Sequence, residues 1–169
     1  MKKWLSLTLA CLLLGCMITS VAAESLEPAS NVIEVVISET TEYLEDGSSI
    51  TITVTEERPL VPSGASVNGV SKKSGSKTYT KKNLGGDVLW KFKVNGTFSV
   101  NMGVSAICIS ASHSSTIVNT DWSCTSASSA PSANKAVGNA AFVCTIWGIP
   151  VETVPCSVTL TCDKNGMLT

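Results

Sequence analysis

Aromatic side chains make up only 5% of this 169-residue chain, and charged ones only 15%. There is one histidine, His113, and one arginine, Arg58. A single imidazole excludes a His-rich metal centre and leaves one candidate for the usual general base of neutral-pH catalysis. Asp121 follows His113 by eight residues, but no Gly-x-Ser-x-Gly elbow accompanies them, so a serine nucleophile lacks its sequence mark. A Cys-x-x-Cys metal pair, a phosphate-cradling Gly-rich loop and the ligand ladder of an EF-hand are missing too. The scattered carboxylates Asp121, Glu152 and Asp163 form no pair suited to glycosidic cleavage. The expectation is therefore a non-enzyme, with no catalytic residue, no metal and no cofactor.

What is present starts at the N-terminus. Lys2 and Lys3 precede an apolar run from Trp4 to Ile18, which ends in Val21-Ala22-Ala23. A positive start, a short apolar stretch and a small-x-small exit define a secretory leader, here residues 1–23 with cleavage before Glu24. The run is shorter than the roughly 20 apolar residues of a membrane span, so no transmembrane segment is expected after processing. Leu13-Leu14-Gly15-Cys16 also resembles a bacterial lipobox. In that alternative Cys16 is lipidated and acyl chains hold the protein at the membrane surface. Leu14, where a small residue is usual, weighs against it. Either route makes the chain bacterial-type and secreted or cell-surface.

The remainder has a length comfortable for one domain. Its acids slightly outnumber its bases, a balance that demands no nucleic acid or other polyanion as partner. The charges are segregated, however. Residues 24–62 hold nine acids and only Arg58 as a cation, whereas 63–100 hold seven lysines and only Asp87 as an acid. Three segments follow: an acidic N-terminal arm with a hairpin over 24–62, a Gly-containing loop or linker over 63–76, and a core over 77–169.

Helix-length stretches rich in Ala, Leu, Glu and Lys are absent beyond the leader. Alternation with period two is abundant, the mark of half-buried strands. Val88, Trp90, Phe92 and Val94 share one parity, as do Ile50, Ile52 and Val54, and as do Val154, Cys156, Val158, Leu160 and Cys162. Turn chemistry separates the runs at Glu45-Asp46-Gly47-Ser48, Leu84-Gly85-Gly86-Asp87, Asn95-Gly96 and Trp147-Gly148-Ile149-Pro150. With 32–37, 39–44, 76–83, 97–101, 104–111, 114–118 and 137–146 included, eight to ten short strands are expected. They predict an all-β fold, an antiparallel immunoglobulin-like β-sandwich with an N-terminal β-hairpin.

Five cysteines remain after the leader, and in an exported domain they point to disulfides. A hairpin centred on Pro150 would set Cys144 opposite Cys156; beyond that the pairing stays open. Seven lysines surround Tyr79 and Trp90. Trp90 lies on the apolar parity, which suits core better than a base-stacking platform, and outer lysines also guard sheet edges. If the charged half binds anything, Lys77, Lys81, Lys91 and Lys93 are expected to form one outward face, suited to an anionic cell-envelope polymer or a surface glycan.

Successive motifs carry a resemblance: Glu39-Thr40-Thr41-Glu42-Tyr43, Glu45-Asp46-Gly47-Ser48, Gly75-Ser76-Lys77-Thr78-Tyr79, Val88-Leu89-Trp90, Asn95-Gly96-Thr97-Phe98, Ser112-His113-Ser114, Gly148-Ile149 and Ser157 to Cys162. In this order they resemble a group of small exported proteins of Gram-positive, largely gut-dwelling bacteria, over nearly the whole chain beyond the leader. The resemblance implies export and a Cys108–Cys162 bridge, and it brings no activity. Cys124, Cys144 and Cys156 are additions to that pattern. A non-catalytic binding module is the expected role. Its rivals are a self-assembling surface or structural protein and, less favoured, a hydrolase using His113 and Asp121.

Overall fold

The computed structural model describes residues 32–60 and 69–169. The leader, Cys16 and the first part of the 63–76 segment lie outside the described residues. Eight strands follow in order: β1 (Val32–Tyr43), β2 (Ser49–Pro59), β3 (Val70–Lys82), β4 (Val88–Asn101), β5 (Ser105–Ile117), β6 (Trp122–Ser132), β7 (Lys135–Ile146) and β8 (Ile149–Thr161). They form two antiparallel sheets, β1-β2-β3-β4-β5 and β6-β7-β8. In each sheet every strand neighbours the next in the chain, an up-and-down order without the Greek-key crossings of an immunoglobulin domain. The N-terminal hairpin is not a separate arm: it supplies the first two strands of the larger sheet.

Alternation on β4 builds the core. Trp90, Phe92, Val94, Phe98 and Val100 share one parity and are fully buried, while Lys91 and Asn101 on the other parity are exposed. They meet Ala136, Ala140 and Phe142 of β7 and Val158 and Leu160 of β8 in one cluster. Trp90 stacks on Phe142 with centroids 3.9 Å apart and planes 4° from parallel, and Phe92 meets the same ring edge-on at 6.2 Å. Such pairs add about 0.5–1.5 kcal/mol each beyond their buried area.

Several boundaries differ from expectation. Asn95-Gly96 is no turn; it lies inside β4, paired with Ser112 and Ala111. Gly96 is required by sheet packing, because a Cβ there would sit 2.8 Å from the Phe98 ring and 2.9 Å from Ala136 Cβ. The 32–37 and 39–44 segments are one strand with a bulge at Ile37. The 104–111 and 114–118 segments are likewise one strand, and β6 was not expected at all. The expected 63–76 loop is strand from Val70 onward. Gly47 and Gly86 do turn their hairpins with φ of 79° and 88°. After β8 the chain folds back, and Thr169 exchanges two backbone hydrogen bonds with Thr161, at 2.8 and 3.0 Å. No helix among the described residues is long and apolar enough to cross a membrane.

Candidate functional site

Strand parity decides where the lysines point. Lys77 pairs with Val94 and Lys81 with Trp90, so both occupy the core-facing side of the sheet. Lys91 and Lys93 pair with Thr80 and Thr78 on the opposite side. The expected single face of Lys77, Lys81, Lys91 and Lys93 therefore does not exist. Lys81 is buried, and its Nζ donates to Ser48 Oγ at 2.6 Å. Ser48 in turn donates its hydroxyl to Asp46 Oδ1 at 2.5 Å and its backbone N–H at 2.9 Å. These bonds, the hydroxyl's first, hold the Asp46 carboxyl below its ordinary value.

The remaining charges pair between the acidic and basic segments. Lys93 donates to Glu34 at 2.7 Å. Glu56 accepts from Arg58 at 2.9 Å and from Lys73. The Arg58 hydrogen bond pulls the Glu56 carboxyl below its ordinary value, Lys73 adds to this, and burial opposes it.

A concave site arises from the mismatch between five strands and three. Strands β6–β8 pack over β3–β5. On the same side of β2, Val54 is buried but Ile50 and Ile52 are only half covered. There lies a groove of about 250 Å³, with Ile52, Val54 and the tail's Leu168 as apolar lining. Ser38, Thr40 and Glu42 of β1 border one side, and Lys77 of β3 lines it as well. Hydroxyls, one carboxylate and one ammonium around apolar side chains make an amphipathic receptor surface. Half-buried Tyr79 shares this side of β3, and its hydroxyl pKa is raised by burial first, then by Cys156 and Glu42. A second cleft of about 320 Å³ lies between the β1–β2 and β3–β4 turns, beside Tyr43, Lys82 and Leu84, but it is lined mainly by turn residues.

The five cysteines among the described residues are all free thiols. Cys108 and Cys162 anchor on successive carbonyls of the β6–β7 turn, Cys108 N–H to Ala133 O at 2.7 Å and Cys162 N–H to Asn134 O at 3.0 Å. Burial raises the pKa of both thiols. Cys144 and Cys156 are not opposite one another. The tight turn is Trp147-Gly148, with Ile146 paired to Ile149, so Cys144 faces Glu152 and Cys156 faces Ala140. Four residues of offset, roughly 13 Å along a strand, are too far for a bridge. Burial pushes the Cys156 thiol up to about 11.

His113 meets Ser129, with Nδ1 2.9 Å from Oγ. Asp121 does not join them; its backbone carbonyl accepts from Thr145 and its N–H donates to Asn119 Oδ1. Among the described residues, no group of three or more His, Cys, Asp or Glu side chains is placed to hold a metal ion. Sequence reasoning passed over Ser129 and, more consequentially, Trp147, which is 97% exposed with a positive φ of 50°. Its signal was legible: an aromatic directly before Gly, where a two-residue hairpin normally takes Asn or Asp. No known protein family, curated protein or solved structure matches the chain.

Proposed function

We propose that the protein is an exported, non-catalytic binding module of the cell surface or its surroundings, and that its ligand is a surface glycan held in the groove beneath β1 and β2. The groove itself carries this reading: hydroxyls of Ser38 and Thr40 and the carboxylate of Glu42 beside apolar Ile52, Val54 and Leu168. Polar groups of that kind bond sugar hydroxyls, and the aliphatic side chains suit the hydrogen-bearing face of a sugar ring. An anionic glycan gains Lys77 as a partner, the one ammonium in the lining. With a single cation involved, binding depends only weakly on salt. The likeness to an immunoglobulin sandwich is proposed for the layering of two antiparallel sheets, not for strand order. A self-assembling surface protein is the second reading, favoured by the twelve-residue edge strand β1, exposed along nearly its whole length.

The test is retention of the secreted protein on immobilised envelope polymers and surface glycans. Ile52→Asp is expected to abolish retention, while Lys91→Ala leaves it intact. Retention that survives Ile52→Asp but fails in Lys91→Ala, or no retention on any polymer, overturns the reading.

A further inference from the structure

The up-and-down order has a geometric consequence: successive turns fall at opposite ends of the molecule. The β1–β2, β3–β4, β5–β6 and β7–β8 turns share one end. Their contacts agree, since Val118 and Asn119 both donate to Leu89 O at 3.0 Å and Thr145 donates to Asp121 O at 2.7 Å. Each of these turns, or the residue beside it, presents a large apolar side chain to water: Tyr43, Leu84, Val118 and Trp147 are all exposed. Trp147 is the extreme case, held in the left-handed region that glycine and asparagine prefer. The same four turns carry Glu45, Asp46, Asp87 and Asp121, and Lys82 beside the β3–β4 turn is the one exposed or half-buried cation next to them.

The opposite end has the complementary character. The β4–β5 turn and the tail meet there, Gly103 N–H donating to Lys164 O at 2.9 Å, and Cys108 anchors on the β6–β7 turn nearby. Met102, Val104 and Met167 are exposed. Lys164 lies in the tail turn and Lys135 opens β7; Lys72, near the start of β3, shares a cleft with Glu57, and Lys73 and Arg58 are paired with Glu56. The carboxylate of half-buried Asp163 accepts the N–H groups of Asn165 and Met167 at 2.8 Å each.

We propose that the acidic, Trp147-bearing end of one copy docks on the basic, Met102-bearing end of the next, so that the protein assembles head to tail. Both surfaces are apolar at their centre, and the acids of the first face Lys135 and Lys164 of the second, which sets orientation and favours encounter. Trp147 is the anchor, an aromatic side chain of the kind that dominates interface energies once desolvated. The contact joins two different surfaces and leaves one of each free, so it extends into chains and does not close at a dimer. An anionic bilayer would repel the four carboxylates, and its attraction for Lys135 and Lys164 would give exposed Trp147 no role. These surfaces share no residue with the groove, although Met167 and Tyr43 adjoin its Leu168 and Glu42.

Sedimentation velocity of the secreted protein over a range of concentrations, at low and high salt, tests the proposal. The expected result is a concentration-dependent series of species larger than dimers, shrinking as salt is added. Trp147→Asn suits the turn, so its urea midpoint stays at the native value or rises, while association weakens at least about tenfold, the loss of one modest anchor. A protein carrying Asp87→Lys and Asp121→Lys fails to form chains, and mixing it with Lys135→Glu, Lys164→Glu protein restores association. Ile52→Asp leaves assembly unchanged. A monomer at every concentration, a species that stops at two copies, or Trp147→Asn protein that assembles as well as native each overturns the proposal. So does binding to lipid vesicles without self-association.

Discussion

Replacing Trp90 by alanine and by phenylalanine separates packing from polarity at the centre of the core. Trp90 is fully buried, stacked 3.9 Å from Phe142 and 6.3 Å from Trp122, and its indole Nε1–H has no hydrogen-bond partner. Truncation to alanine removes both contacts and leaves a cavity, at a cost of about 3–5 kcal/mol. That consumes much of the roughly 5–15 kcal/mol available to a domain. Phenylalanine keeps the stacked ring and loses two carbons, about 1–2 kcal/mol at roughly 0.8 kcal/mol each. It also removes an unpaired buried N–H whose desolvation costs about 1–3 kcal/mol. The two terms nearly cancel, so Trp90→Phe is expected within about 1 kcal/mol of native stability. Urea unfolding followed by far-ultraviolet circular dichroism reads both variants, provided the denaturant slope is unchanged. Equal losses for Phe and Ala would refute the orphan N–H argument. A folded Trp90→Ala protein of native stability that had lost only ligand binding would refute the core assignment itself.

Lys81→Met replaces a buried ammonium by an apolar chain of similar shape and is expected to be neutral or stabilising. Ser48→Ala, by contrast, leaves the Lys81 ammonium without the acceptor seen in the structure and costs about 1–3 kcal/mol in the same urea assay. Glu56 has a folded pKa below its ordinary 4.5, so its contribution to stability is full above that value and is lost as pH falls through the lower folded one. Urea midpoints measured against pH should flatten across that acidic window in Glu56→Gln. Cys108 and Cys162 are free thiols in the structure, but their backbone N–H groups bond adjacent carbonyls of one turn. Unreduced peptide mapping of exported protein is expected to find them bridged, closing a loop worth about 4 kcal/mol in the chain-entropy model; Cys108 paired elsewhere, or all thiols free, contradicts it. Mass spectrometry should place the mature N-terminus at Glu24, and a lipid-modified Cys16 terminus would replace that assignment.

The sequence was most informative where one face of a strand is apolar and the other polar. The β4 alternation was visible from Val88 to Val94, and the structure carries it on to Val100. Gly96 concealed that continuity, because a glycine that admits Phe98 and Ala136 looks the same in sequence as one that turns the chain. The lysines of β3 misled for a related reason. The stretch Ser71 to Lys82 has lysines on both parities and only Tyr79 as an aromatic marker, so its inward face was settled by pairing with β4 and not by its own pattern. Strand β6 escaped notice because Ser123 to Ser132 is dominated by small side chains without alternation. The Cys144–Cys156 error came from a small shift in the turn centre, from Pro150 to Trp147-Gly148, which moves every partner along β7. The groove was beyond sequence reasoning altogether, since it exists only because three strands cover part of a five-stranded face.

The most direct test of the glycan-binding groove is a backbone amide chemical-shift map of the secreted protein titrated with the surface glycan that retains it. The account predicts saturable shifts confined to Ser38, Thr40, Ile52, Lys77 and their strand neighbours, lost in Ile52→Asp. Shifts centred on Lys91 and Lys93, or a saturating ligand that leaves the β1–β2 amides unmoved, would contradict it.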